Sequence, residues 1–266
     1  MLTFFTYLLA LLMGIMLGIT GGGGSALTVP VLRYLAGISP VEATGYSLFI
    51  VGITALAGAV NYGIRKQIHY KAALLFAFPS FIAVFITRKY MMPGLPDIFF
   101  SVGNWIITKN IALMILFALL MGFTAFSMIA NRRRKEADES RPVEFHYSLI
   151  ATQGFGIGIL TGLLGAGGGF IIVPALVLLA NLPIRLAVGT SLMIIAINSF
   201  FGFMGDLMNK ASIDWHFLMI FSFISVTGVF VGSYFSQFIP AKKLKVGFGY
   251  FLLVIAVFIL TKEIFL

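Results

Sequence analysis

Two stretches of this chain are near copies of each other, and both carry glycine at a density that no helix accommodates comfortably. GITGGGGSALTVPVLRYLAGISPVEATGYSL starts at Gly18 and GLLGAGGGFIIVPALVLLANLPIRLAVGTSL starts at Gly162. They align without a gap at an offset of 144 residues, with 13 of 31 positions identical. A fainter echo follows, in which Ile68-His69-Tyr70 falls near Ile213-Asp214-Trp215. Shared hydrophobicity alone does not produce such a match, so the chain reads as two homologous halves.

Composition says where those halves reside. Of 266 residues, 60% are apolar and 10% charged, with a mean hydropathy of +1.04. Soluble domains run at about 45–50% apolar and about 25% charged. An ordinary cytosolic enzyme, a disordered chain and a nucleic-acid-binding domain are thereby excluded. The expected fold is an all-α integral membrane protein in the lipid bilayer of the cell membrane (inner or plasma). Eight hydrophobic segments lie at about 3–20, 41–62, 72–90, 109–130, 147–164, 184–207, 215–238 and 244–264. The first lacks a basic leader and a small-residue cleavage site, so it reads as a retained membrane helix. Two shorter apolar stretches, about 26–36 and 170–181, follow the glycine clusters. At about 17 Å each they fall short of a hydrocarbon core of about 30 Å, and read as re-entrant or broken-helix arms.

This gives a first transmembrane repeat over 1–130, a basic linker over 131–146 and a second repeat over 147–266. The linker holds Arg132, Arg133, Arg134, Lys135 and Arg141. Basic residues collect on the cytoplasmic side of membrane proteins, which places the linker inside. With four spans in each half, both termini come out inside as well, and the halves are expected to be parallel. Full crossings by the short arms would instead invert them. Arg88, Lys89, Lys109, Lys242, Lys243 and Lys245 argue against the first orientation. The net charge of +9 suits both anionic headgroups and an anionic solute.

The glycine clusters are the first candidates for chemistry. Gly21, Gly22, Gly23 and Gly24 precede Ser25, and Gly165, Gly167, Gly168 and Gly169 match them. Each glycine costs a helix about 1 kcal/mol against alanine, so the helices should break here. Such breaks survive at membrane depth where they are buried in protein or line a polar cavity. A following helix N-terminus presents free N–H groups and the positive dipole end, an anion site made of backbone. Close packing of helices through small residues is the other reading. Pro30 and Pro174 should kink or limit the arms.

Hydroxyls follow in Thr44-Gly45-Tyr46-Ser47 and Val188-Gly189-Thr190-Ser191. Ser47, Thr190 and Ser191 are candidate donors to an oxyanion, or else bond back to their own helices. Asn198 is polar in mid-segment and is expected to face a cavity or another helix. Glu42 and Asp206 are the carboxylates to test for coupling to protons, though an ordinary helix-end charge is the more usual reading of each. His69, His146 and His216 stand singly, cysteine is absent, and no metal site or cofactor is expected. No zinc helix, P-loop or nucleophile elbow is present, so the chain reads as no enzyme.

GGGGSALTVPVL with VEATGYSL, repeated as GAGGGFIIVPALVLLANLPIRLAVGTSL, resembles the sulfite exporter TauE/SafE family of membrane transporters. The resemblance covers essentially the whole chain. It implies a secondary transporter of small sulfur-containing anions such as sulfite or sulfonates. The halves would rock about a midplane site to give alternating access, with protons as one candidate coupling ion. Ser25 stands where the second half has Gly169, and Thr44 where it has Val188, so the two half-sites are unequal. Carriage of a different small anion, a passive anion channel and a membrane subunit supporting a partner enzyme are the other readings.

Overall fold

In lipid a backbone must satisfy its own polar groups, and the apolar runs of this chain do so as helices. The computed structural model describes residues 2–102, 105–130, 147–178, 180, 182–209 and 213–265. The basic linker at 131–146, and with it the assignment of a separate linker segment, lies outside the described residues.

The first half contains α1 (Leu2–Thr20), α2 (Gly23–Tyr34), α3 (Pro40–Ile64), α4 (Tyr70–Ile86) and α5 (Lys109–Ala130). The second contains α6 (Tyr147–Leu164), α7 (Gly169–Leu178), α8 (Ile184–Met208), α9 (Trp215–Phe235) and α10 (Ala241–Phe265). Among the described residues six helices are long and apolar enough to cross a membrane, and α1, α6 and α7 are shorter. Exposed apolar side chains such as Phe78, Phe123, Phe126, Phe223 and Val254 give the bundle the outer surface that lipid requires.

Local signals start the helices where the sequence allows. Ser39 accepts from the Glu42 amide at 3.4 Å and donates to its carboxylate at 2.8 Å, with Pro40 in the first turn. That is a side-chain N-cap with proline where its missing N–H does no harm. His69 and Asp214 cap α4 and α9 in the same way. Pro30 and Pro174 sit inside α2 and α7, which continue beyond them. After α4 the chain passes through a π-helical turn, Thr87–Met91.

One element departs from an all-helical chain. Ile98–Val102 and Trp105–Thr108 form an antiparallel hairpin between α4 and α5. Aromatic and β-branched residues on both sides of Gly103-Asn104 favour this over a helix.

Glycine lets the helices cross closely. On α1, a Cβ at Gly14 or Gly18 would strike the backbone of α9 at Ser225 or Val229. On α6, a Cβ at Gly158 would strike α4 at Ser80, and one at Gly162 would strike Thr87 in the π-helical turn that follows α4. Gly14 and Gly18 are the counterparts of Gly158 and Gly162 at the offset of 144 residues. The small-xxx-small crossing is therefore used twice, at matched positions.

These contacts fix helix directions. Ala10 meets Ser225 and Gly18 meets Val229, so α1 and α9 are parallel. Phe49 meets Trp215 and Asn61 meets Ser233, so α3 runs with them. Gly52 meets Ser199 and Gly45 meets Asp206, so α8 runs against α3. Phe81 stacks on Phe201 and Arg88 reaches Asp206, so α4 runs with α8. Gly154 meets Phe76 and Gly162 meets Thr87, so α6 runs with α4. It follows that α1 and α6 are antiparallel.

The parallel arrangement expected from four spans per half is thus overturned. Each arm turns the chain back, Gly24 of α2 lying on Met13 and Leu17 of α1, so five segments rather than four lead from α1 to α6. The chain ends are corrected with it. Tyr7 lies by Phe217 at the start of α9, and Tyr34 donates to Glu263 of α10 at 2.8 Å. Both termini therefore approach one end of the bundle. The flanks of the linker, Ala130 and Tyr147, lie at the other end, and the expectation of a shared side is not met.

Leucine at Gly14 or Gly158 should cost about 1–3 kcal/mol each by overpacking. Leucine at Gly156, where a Cβ meets nothing within 4 Å, should not destabilise. Thermal unfolding of the purified variants in detergent checks this.

Candidate functional site

The glycine clusters break the helices as expected, but unequally. The first break is two residues, with Gly21 at φ +72° and Gly22 at φ −156°, ψ −20°. The second spans 165–168, with Gly165, Gly167 and Gly168 at φ +68°, +62° and +71°. Such angles are open to glycine and costly to other residues. Gly23, Gly24 and Ser25 form the first turn of α2, and Gly169 starts α7. The breaks lie against each other. A Cβ on Gly22 would strike the Gly169 carbonyl, and one on Gly169 would come within 2.8 Å of Gly22 Cα.

The first break satisfies itself. Thr20 Oγ1 accepts from the Gly23 amide at 2.7 Å, and Ser25 Oγ donates to the Gly22 carbonyl at 2.7 Å. Ser191 Oγ donates to the carbonyls of Gly21 at 3.0 Å and Val188 at 2.8 Å. Thr190 is engaged elsewhere, its Oγ1 accepting from the His69 amide at 3.0 Å. Of the hydroxyls singled out in the sequence, Ser47 alone is buried with its oxygen unpartnered. Asn198 donates to Ser80 Oγ at 2.7 Å, and its Oδ1 has no partner.

The second break is different. A Cβ on Gly165 would meet Arg88 Nη2 and Thr44, one on Gly167 would meet Ser199 Oγ at 2.8 Å, and one on Gly168 would meet Thr161 Oγ1. Arg88 Nε and Nη2, Ser199 Oγ and Thr161 Oγ1 are all buried and without a hydrogen-bond partner. Unmade bonds of this kind cost about 1–3 kcal/mol each.

Arg88 is the residue that sequence reading missed. In the sequence it reads as a charge at the end of an apolar run, yet it is 1% exposed. The π-helical turn places it there, with Nη1 3.4 Å from Asp206 Oδ2. Asp206 is thus the counter-ion of a buried guanidinium, and its side chain is 14% exposed. A strongly polar residue within the apolar segment 72–90, with a carboxylate inside segment 184–207, was the available signal. Glu42 is at the surface beside the N-cap of α3.

Two cavities flank this centre. One of about 290 Å³ is lined by Val41, Met92, Pro93 and Asp206, and reaches Arg88 and Lys109. The other, of about 20 Å³, is lined by Tyr62, Arg185, Ser236 and Gln237 near the opposite end. Among the residues lining each, Val41 corresponds with Arg185 in the repeat, and Tyr62 with Asp206, Met92 with Ser236 and Pro93 with Gln237 share its offset of 144 residues. The narrow one is bound shut by Tyr62 and Ser236, whose hydroxyls are 2.9 Å apart, and by Arg65, which donates to the Ser233 carbonyl at 2.8 Å.

The family described as sulfite exporter TauE/SafE matches residues 6–259. A probable membrane transporter protein of Xylella fastidiosa (strain Temecula1) is 29% identical, covering 95% of this chain and 92% of that protein. The probable membrane transporter protein YunE of Bacillus subtilis is 28% identical over 78% of each. A probable membrane transporter protein of Haemophilus influenzae is 27% identical, covering 95% of this chain and 98% of that protein. No solved structure matches the chain significantly.

Alanine at Gly22 should push the two breaks apart, lowering stability by about 1–3 kcal/mol and abolishing activity. Alanine at Gly37, where φ is +70° but a Cβ meets nothing, should cost only about 1–2 kcal/mol in strain and leave activity intact. Thermal unfolding and flux measured on both variants separate contact from strain.

Proposed function

The chain belongs to the sulfite exporter TauE/SafE family, and on that premise we propose that it is a secondary transporter of small sulfur-containing anions, sulfite and sulfonates among them. It is a multi-pass membrane protein of the transporter class, not an enzyme. The observation that carries the mechanism is the pair of cavities at opposite ends, about 290 Å³ and about 20 Å³, which share four corresponding positions. In an inverted repeat, exchanging the conformations of the two halves widens the narrow cavity and narrows the wide one. Alternating access then needs no machinery beyond the repeat itself.

In this reading the halves are 1–130 and 147–266, inverted across the membrane plane. The substrate sits between the cavities, at the glycine breaks, where backbone can approach it closely. The linker end is cytoplasmic. It receives both flanks of the linker and carries Arg65, Lys66, Lys71 and Arg185, with Lys242, Lys243 and Lys245 in the first turns of α10. The terminus end carries Arg33, Lys89, Lys109 and Lys262. The positive-inside rule therefore faces both termini and the larger cavity outward, in the cell membrane. Protons are the proposed coupling ion, with Asp206, beside the path, as the carboxylate to test.

Purified protein in proteoliposomes should take up one of sulfite, thiosulfate, sulfate or a sulfonate saturably and with counterflow. Uptake that never saturates would make it a channel, and uptake of a carboxylate alone would move the substrate class. The chain has no cysteine, so a single introduced one reports without background. Val188 lines the narrow cavity and is 1% exposed. Val188→Cys should react slowly at rest and severalfold faster with an impermeant thiol reagent on the linker side during turnover. A rate that substrate leaves unchanged would sink alternating access by this route.

A further inference from the structure

Within the proposed transport function, the two breaks are not equivalent, and their asymmetry points to one ligand site. At the first break every hydroxyl singled out has a partner within the fold: Thr20, Ser25 and Ser191 all bond to the break or its flanks. At the second, the neighbours of Gly165, Gly167 and Gly168 are Arg88, Ser199 and Thr161, all buried and holding unpartnered atoms. Three glycines with positive φ let the backbone lie directly against those atoms.

We propose that the second break is an oxyanion-binding site whose principal ligand is Arg88, and that Asp206 is a tethered carboxylate which the arriving anion displaces. The site rests on the transporter reading but assigns it residues that the glycine motifs alone do not. Arg88 lies on the larger cavity, so an anion has a route to it from the open end. A guanidinium offers five donors in a planar fork matched to paired oxygens. Here Asp206 faces only Nη1, and at 3.4 Å it is an ion pair without a hydrogen bond. Nε and Nη2 remain for a ligand. A sulfite or sulfonate has three oxygens to offer, enough to engage the fork and a hydroxyl together. Thr161 and Ser199, across Gly168 and Gly167, are the donors next inward along the break.

The charges around the cavity fit an exchange of anions. Besides Asp206 they are Glu42 at the surface and Lys109, whose Nζ donates to the Met92 carbonyl at 2.6 Å. Lys109 keeps a positive charge on the entry route, and steers anions toward a cleft with apolar walls. Glu42 is turned to its capping partner Ser39 at 2.8 Å. An anion that takes the place of Asp206 leaves the guanidinium neutralised throughout.

The test is equilibrium binding of sulfite, methanesulfonate and acetate to the purified full chain in detergent, by titration calorimetry. Wild type should bind a sulfur oxyanion, and Arg88→Lys should bind it at least about tenfold more weakly, since a point charge replaces the fork. Asp206→Asn should bind it more tightly, because the internal competitor is gone. The double variant R88Q/D206N, which removes the pair without stranding either charge, should fold and bind nothing. A folded double variant with wild-type affinity would overturn the site and leave the transport reading standing. Should that variant not fold, Asp206→Asn decides, and unchanged or weaker binding overturns the proposal. Acetate bound through Arg88 with no sulfur anion bound would keep the site and sink the sulfur assignment. Wild type that binds none of the three sinks both.

Discussion

The fold hangs on a contact between two pieces of backbone. Gly22 and Gly169 lie so close that neither has room for a side chain, and this is where both broken helices resume. Lipid cannot solvate an interrupted helix, so each interruption must be covered by protein. Here each is covered by the other, and by a helix of the opposite half. Gly21 lies on Val188 of α8, and Gly165 lies on Thr44 of α3. Val188 and Thr44 are counterparts in the repeat. Neither half can therefore be assembled without the other, and the glycine crossings of α1 on α9 and α6 on α4 follow the same exchange.

That shared framework makes the difference between the two breaks informative. The first is knitted by Thr20, Ser25 and Ser191 into local bonds. The second is longer, with three left-handed glycines, and polar atoms beside it are left unmatched. Both sequences face the same steric demand, and only one spends its hydroxyls on meeting it. A bundle that leaves a guanidinium partly unmatched forgoes stability that another side chain would supply, and a site for a transient ligand is a physical reason to do so.

Much of this was legible in the sequence. The apolar segments and the positions of the breaks follow from hydropathy and glycine cost. What was not legible is parity. Hydropathy distinguishes spans from loops, but an arm of 12 residues is too short for that criterion, and whether it reverses the chain depends on the depth at which α1 ends. That depth is set by packing of Gly18 on α9, a long-range contact. Counting the arms as re-entrant gave parallel halves, and the helix directions give antiparallel ones. Arg88 escaped for a related reason. A charge near the end of an apolar run reads as a loop residue until the π-helical turn is seen to carry it inward. Ser191 and Thr190 were legible as hydroxyls but not as already engaged, because their partners Gly21 and the His69 amide are 170 and 121 residues away.

The opposed directions of α1 and α6 bear on how such a chain is inserted. A duplicated half threads the membrane once each way, so any charge that both copies retained would pull the two toward contradictory orientations. Orientation must come from residues that the copies do not share. The arginines follow that pattern: Arg33 faces Val177, Arg65 faces Asn209 and Arg185 faces Val41, while among the lysines Lys66 faces Lys210. The glycines that build the breaks repeat, while the arginines near them diverge. Divergence between the halves is, on this view, what allows a duplicated sequence to choose a side.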